Sequence, residues 1–113
     1  MISAPFFVAM YIHNASFIID PARGEEFIDW MLPLARKVAD PAVSRLSVMR
    51  QAGGEVAGEA QALSVAFQTE FHTVEEAEEW VRKRLNPLVA AFERRFAPGA
   101  MVFTSIFETI PLT

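Results

Sequence analysis

Asn14, Ser16, Ser64, Gln68 and Thr104 are the side chains of this sequence that could together hold a ligand. Each offers a hydroxyl or an amide and none carries a formal charge. Such groups fix the orientation of a small polar ligand inside an otherwise apolar cavity. Asn14 and Ser16 fall in one strand-like run, Ser64 and Gln68 in a second, and Thr104 in a third. Even spacing within a run puts side chains on one face of a strand, so the five can converge if the runs lie in one sheet. The competing reading is that they satisfy one another or face water across a seam between subunits.

The titratable residues point less clearly to chemistry. His13 and His72 are the two histidines. His13 has the opposite parity to Asn14 and reads as a partly buried, hydrogen-bonded structural imidazole rather than a general base. His72 stands directly before a helix start, an ordinary loop position. The two are isolated from each other and neither belongs to an Asp/Glu constellation at ligand spacing, so no metal site and no cofactor is expected. Glu70 and Glu108 fall near strand ends, and nothing in the sequence pairs them for acid/base work. The chain has no cysteine, which excludes disulfide scaffolds, zinc ribbons and thiolate chemistry.

The elements that must hold these residues follow from pattern. Phe6 to Ile19 is rich in β-branched and aromatic residues and ends at Asp20-Pro21, an N-cap followed by a favoured first helical residue. Phe27, Met31, Leu34 and Val38 then form one helical stripe, with Pro33 expected to kink or shorten its last turns. Val43 to Gln51 reads as a second strand and the glycines between 52 and 59 as a hairpin tip. Gln61 to Glu70 alternates Leu63, Val65 and Phe67 against Ser64, Ala66 and Gln68, the pattern of a strand with one face in a core.

Thr73-Val74-Glu75-Glu76 is a capping box. The stripe Ala77, Val81, Leu85, Leu88, Phe92, Phe96 follows it, interrupted at Asn86-Pro87, which predicts two helical pieces or one sharply bent helix. Trp30 and Trp80 lie off the main stripes and read as packing residues at helix edges. Ala100 to Ile110 forms the last strand.

The order β-α-β-β-α-β is the split β-α-β arrangement of the ferredoxin-like fold, an α+β architecture with a four-stranded antiparallel sheet and two helices on one face. A single domain spanning 1–113 is expected. Parity assigns Met10, Ile12, Asn14, Ser16, Ser47, Met49, Ser64, Ala66, Gln68, Val102, Thr104 and Ile106 to the face the helices leave uncovered. That mixture is too apolar for water, and a second subunit covering it, with a cavity between, is the simplest resolution.

The residues are 52% hydrophobic and the formal charge is −4, from 14 acidic and 10 basic side chains. The acidic balance argues against a nucleic-acid partner. The densest basic run, Arg82-Lys83-Arg84, follows Glu78 and Glu79 at i,i+4 spacing and reads as a solvated face. The third strand lacks the glycine-aromatic signature of an RNA-recognition sheet, and Gly53-Gly54 does not lead from a strand into a helix as a phosphate loop would. No stretch approaches the roughly 18 apolar residues that cross a bilayer. The apolar start has no basic n-region, so a cytoplasmic location is expected.

Four segments together resemble a small bacterial family of unknown function with a ferredoxin-like fold, akin to the dimeric α/β-barrel proteins. They are Asn14-Ala15-Ser16-Phe17-Ile18-Ile19-Asp20, Trp30-Met31, Ser64-Val65-Ala66-Phe67, and Phe96 through Phe103 to Glu108. The resemblance implies a homodimer built as a dimeric α/β barrel. Members usually carry Gln at the place of Ala66, Arg at that of Thr104 and His at that of Arg84, so a pocket shared by the family would be altered here. The expectation is a homodimer that binds a small molecule between its sheet faces. The alternative is a cofactor-independent monooxygenase or isomerase acting on a small aromatic or apolar compound in the same cavity, a reading that rests on fold analogy.

Overall fold

Alternation decides the sheet. In a computed structural model that describes residues 10–39, 43–49 and 63–112, strand β1, Tyr11–Ile19, buries His13, Ala15, Phe17 and Ile19 and leaves the residues between them half-buried. Strand β3, Leu63–Phe71, buries Val65, Phe67 and Thr69 in the same rhythm. The two pair antiparallel at the centre of the sheet, with β2, Ser44–Val48, beside β3 and β4, Met101–Glu108, beside β1. The order β2-β3-β1-β4 is the ferredoxin-like topology. Residues 6–9, Asp40-Pro41 and the glycine-rich reversal expected at 52–59 lie outside the described residues.

The helices start where the sequence signals a start. Asp20 Oδ1 accepts from the Ala22 N–H at 2.9 Å and opens a short 3-10 turn, Pro21–Arg23, that leads into α1, Gly24–Val38. Glu25 and Glu26 in the first turn of α1, and Arg36 and Lys37 in the last, complement its dipole. Helix α1 runs five residues beyond Pro33, to the end of the apolar stripe at Val38. Pro33 and Asp29, four residues before it, both lie on the exposed side, where water can satisfy the carbonyl that the proline cannot bond. Thr73 caps α2, Val74–Trp80, its hydroxyl oxygen accepting from the Glu76 N–H at 3.1 Å.

The Asn86-Pro87 interruption takes an unexpected form. Asn86 is not a side-chain cap. Instead a π turn, Val81–Leu85, joins α2 directly to α3, Asn86–Phe96, and the Asn86 N–H bonds to the Val81 carbonyl. In an α-helix the Pro87 ring would strike the carbonyl of Lys83 and remove a donor. Widening one turn absorbs the misfit without breaking the run.

The core lies between the helices and one sheet face. Phe92 is fully buried, edge-on to Phe17 at 4.9 Å and to Phe27 at 5.5 Å between ring centroids, and Phe96 stacks on it at 5.5 Å. Trp30 meets Phe96 at 5.4 Å. The Trp80 indole donates to the Val38 carbonyl at 2.9 Å, tying the end of α2 to the end of α1, so both tryptophans pack at helix edges as read from the sequence. Buried Thr69 shares a hydrogen bond with Ser44 across the β2–β3 pair at 3.0 Å.

Strand β4 corrects the sequence reading. Directly paired residues of antiparallel strands share a face, and the register sets Ile12, Asn14, Ser16 and Ile18 against Phe107, Ser105, Phe103 and Met101. The helix-free face therefore carries Met101, Phe103, Ser105 and Phe107, while Val102, Thr104 and Ile106 look to the helix side. Val102 packs against the core. Both parities of β4 are apolar, so alternation alone carried no signal of which face points inward.

Candidate functional site

On the helix-free face the register builds rows across the strands. Arg45, Gln68, Asn14 and Ser105 form one row from β2 to β4, and Ser47, Ala66, Ser16 and Phe103 form the next. Four of the five sequence-predicted residues, Asn14, Ser16, Ser64 and Gln68, thus share this face. Thr104 does not, and Ser105 takes its place. Arg45 and Ser105 are the members missed. The parity of Arg45 in its strand was readable, but the face of Ser105 depends on a register that the sequence does not display.

Between the two rows, the Asn14 amide donates to the Ser16 hydroxyl at 2.9 Å in a half-buried setting. Arg45 lies 4.0 Å from Glu70, which occupies the same face at the level of Ile12. Around the polar row the surface is apolar: Met49, Met101, Phe103 and Phe107 are 71%, 55%, 56% and 52% exposed. Large apolar side chains gathered this openly on one face are a mark of an interaction surface.

The remaining candidates separate. Glu108 accepts from the Tyr11 hydroxyl at 3.2 Å, which together with its charge pushes the Tyr11 pKa up. It pairs with Tyr11 on the helix-side parity, whereas Glu70 lies on the helix-free face, so the two carboxylates do not meet. His72 is exposed beside the Thr73 cap. His13 is 3% exposed, edge-on to Trp80 at 5.8 Å, and its pKa is lowered by burial. It departs from expectation in one respect, because its Nδ1 is buried with no hydrogen-bond partner. Among the described residues no three of His, Asp and Glu gather where a metal ion could be held, and no helix is long and apolar enough to cross a membrane.

No family model and no curated protein matches the chain. Among solved structures, the de novo designed protein Foldit4 aligns with 88% of this chain and 96% of its own at 9% identity and a TM-score of 0.48. A putative PII-like signalling protein from Thermus thermophilus aligns over 92% and 94% at 7% identity and 0.47. CPII bound to ADP, AMP and acetate, from Thiomonas intermedia, aligns over 91% and 92% at 15% identity and 0.43. Likeness at these identities concerns the fold alone. What the strands and helices define is a class, the ferredoxin-like α+β domain.

Proposed function

We propose that the chain acts as a homodimer whose helix-free sheet faces pack against each other and enclose a small-molecule site along the row Arg45, Gln68, Asn14 and Ser105, with Ser16 and Ser64 beside it. The observation that carries this reading is the exposure of Met49, Met101, Phe103 and Phe107 on a face that no helix among the described residues covers. With strands about 4.8 Å apart and a rise of about 3.3 Å per residue, four strands present a face on the order of 500 Å². Two such faces bury on the order of 1,000 Å², the threshold for a specific interface. Apolar side chains at the β4 end would supply the association energy. The polar row would supply orientation to a ligand held in the seam, since neutral donors and acceptors there have no water to bond. A cytoplasmic setting and a net charge of −4 suit a pair of this kind, the charge keeping the assembled pair soluble.

The reading is tested by sedimentation equilibrium at micromolar concentration. The wild-type chain is expected at twice its 12.6 kDa mass, and Phe103→Glu is expected at the monomer mass with an unchanged far-ultraviolet circular dichroism spectrum. A wild-type chain that stays monomeric overturns the proposal. Native mass spectrometry of the wild-type dimer then reports whether a compound travels with it.

A further inference from the structure

The helix layer stops short of β4. On the helix side Thr104 is exposed and Ile106 is 36% exposed, and between them and the helical run lies a cleft of about 440 Å³. Its strand side is made by His13, Thr104, Ser105 and Ile106, and its helix side by Glu78, Val81, Arg82 and Asn86. The volume is in the range that holds small ligands. The cleft opens on the helix side of β4, and of its lining only Ser105 has the parity of the helix-free face.

Three features set this cleft apart. The first is the π turn. In an α-helix, residues five apart point about 140° away from each other, but the i→i+5 bond from the Asn86 N–H to the Val81 carbonyl brings those two onto one side, and both line the cleft. Single π turns inside α-helices are frequent at functional sites. The second is His13, a buried imidazole bordering the cleft with one nitrogen unpartnered, an uncommon state for a buried polar atom. The third is charge. Glu78 and Arg82 stand one helical turn apart on the same wall, yet no ion pair joins them, whereas Lys83 and Glu79 on the same run are paired at 2.6 Å.

We infer that this cleft binds a small zwitterion of the amino-acid class with an apolar side chain. Its carboxylate is received by Arg82 with Asn86, its ammonium by Glu78, and its apolar part by Val81 and Ile106. The pairing follows from the balance of the lining. One positive and one negative side chain, both exposed, line the space, so a ligand of net charge would leave one of them opposed, whereas a zwitterion complements both. Thr104 adds a neutral donor and acceptor.

The experiment is a two-dimensional NMR titration of the full chain with leucine, methionine and phenylalanine, alongside 4-methylpentanoate and isopentylamine, which each keep one of leucine's two charges. At least one amino acid is expected to shift the His13 and Thr104 resonances saturably at millimolar concentration, and both single-charge analogues to bind at least ~10-fold more weakly. Arg82→Gln and Glu78→Gln should each weaken the amino acid by ~10-fold or more. Glu93→Gln, exposed on α3 and outside the cleft, should not. The inference is overturned if none of the three amino acids saturates by about 10 mM, if the two cleft variants bind as the wild type does, or if the same resonances move with protein concentration alone, which would assign the cleft to contact between copies.

Discussion

His13 and Asn14 are neighbours in β1 and look to opposite faces of the sheet, and the two faces differ in what each leaves unfinished. On the His13 side apolar rings close on one another: Phe17, Phe27, Phe92 and Phe96 are all buried, and Thr69 and Trp80 find partners. What remains unsatisfied there is one imidazole nitrogen beside a cleft whose rim also exposes Ile106. On the Asn14 side Asn14 bonds Ser16 and Arg45 lies near Glu70, Gln68 and Ser105 continue the polar row, and the widest open surface is apolar. An unfinished polar group calls for a ligand that brings hydrogen bonds, and an unfinished apolar surface calls for another surface. The same strand alternation therefore prepares two kinds of encounter.

The largest test of this contrast compares two phenylalanines. Phe92 is enclosed by Phe17, Phe27 and Phe96, and Phe92→Ala should cost about 3–5 kcal/mol, the usual toll of emptying an aromatic site in a packed core. Phe103 stands on the open face, and Phe103→Ala in dilute, monomeric protein should cost no more than about 0.5 kcal/mol. Urea unfolding of both variants measures the difference. Similar losses would mean that the two faces are not energetically distinct in the single chain, and the contrast would fail.

A smaller effect belongs to the His13 side alone. Burial lowers the His13 pKa in the folded chain, while in the unfolded chain it titrates near its ordinary value of about 6.5. As pH falls below that value the unfolded state takes up a proton that the folded state refuses, so stability is complete above about pH 6.5 and declines beneath it. The slope approaches at most about 1.4 kcal/mol per pH unit and levels off below the folded-state pKa. The carboxyls of Glu26 and Glu79, held low by hydrogen bonds from Arg23 and Lys83, lose their contribution only in a more acidic window. Urea midpoints between pH 7.5 and 5.5 should therefore fall in the wild type and in Phe103→Glu, and stay level in His13→Phe. A level wild-type profile would show that the imidazole is not held neutral.

Much of this architecture is legible in the sequence, and the reasons are local. Asp20-Pro21 and Thr73 with Glu76 carry their own geometry, since a cap is a contact among residues two or three apart. The alternation of β3 named its buried face because only one parity, Val65 and Phe67, is apolar and large. Strand β4 defeated the same logic, both of its parities being apolar, and its face was fixed by pairing with β1 across some ninety residues of chain. Asn86-Pro87 announced an interruption but not its form, because a cap, a kink and a π turn all relieve the same clash. The cleft over His13 was invisible for a further reason. It exists because the helices stop short of β4, a matter of how layers pack and not of any one residue.

The smallest effect sharpens the Asn14 side. In the monomer the Asn14–Ser16 hydrogen bond is only half-buried, so water can replace either partner. In a Phe103→Glu background, which holds the chain monomeric under the proposed assembly, Asn14→Ala should change the free energy of unfolding by less than about 0.5 kcal/mol. In the wild-type background the same substitution leaves the Ser16 hydroxyl without its partner inside the seam, where an unmade hydrogen bond costs about 1–3 kcal/mol. It should therefore raise the dimer dissociation constant by roughly 5- to 150-fold. Sedimentation of Asn14→Ala beside urea unfolding of the double variant separates the two terms. A full-sized loss in the monomer would make the polar row part of the fold's own stability, and its residues would then be spoken for before any ligand or second copy arrives.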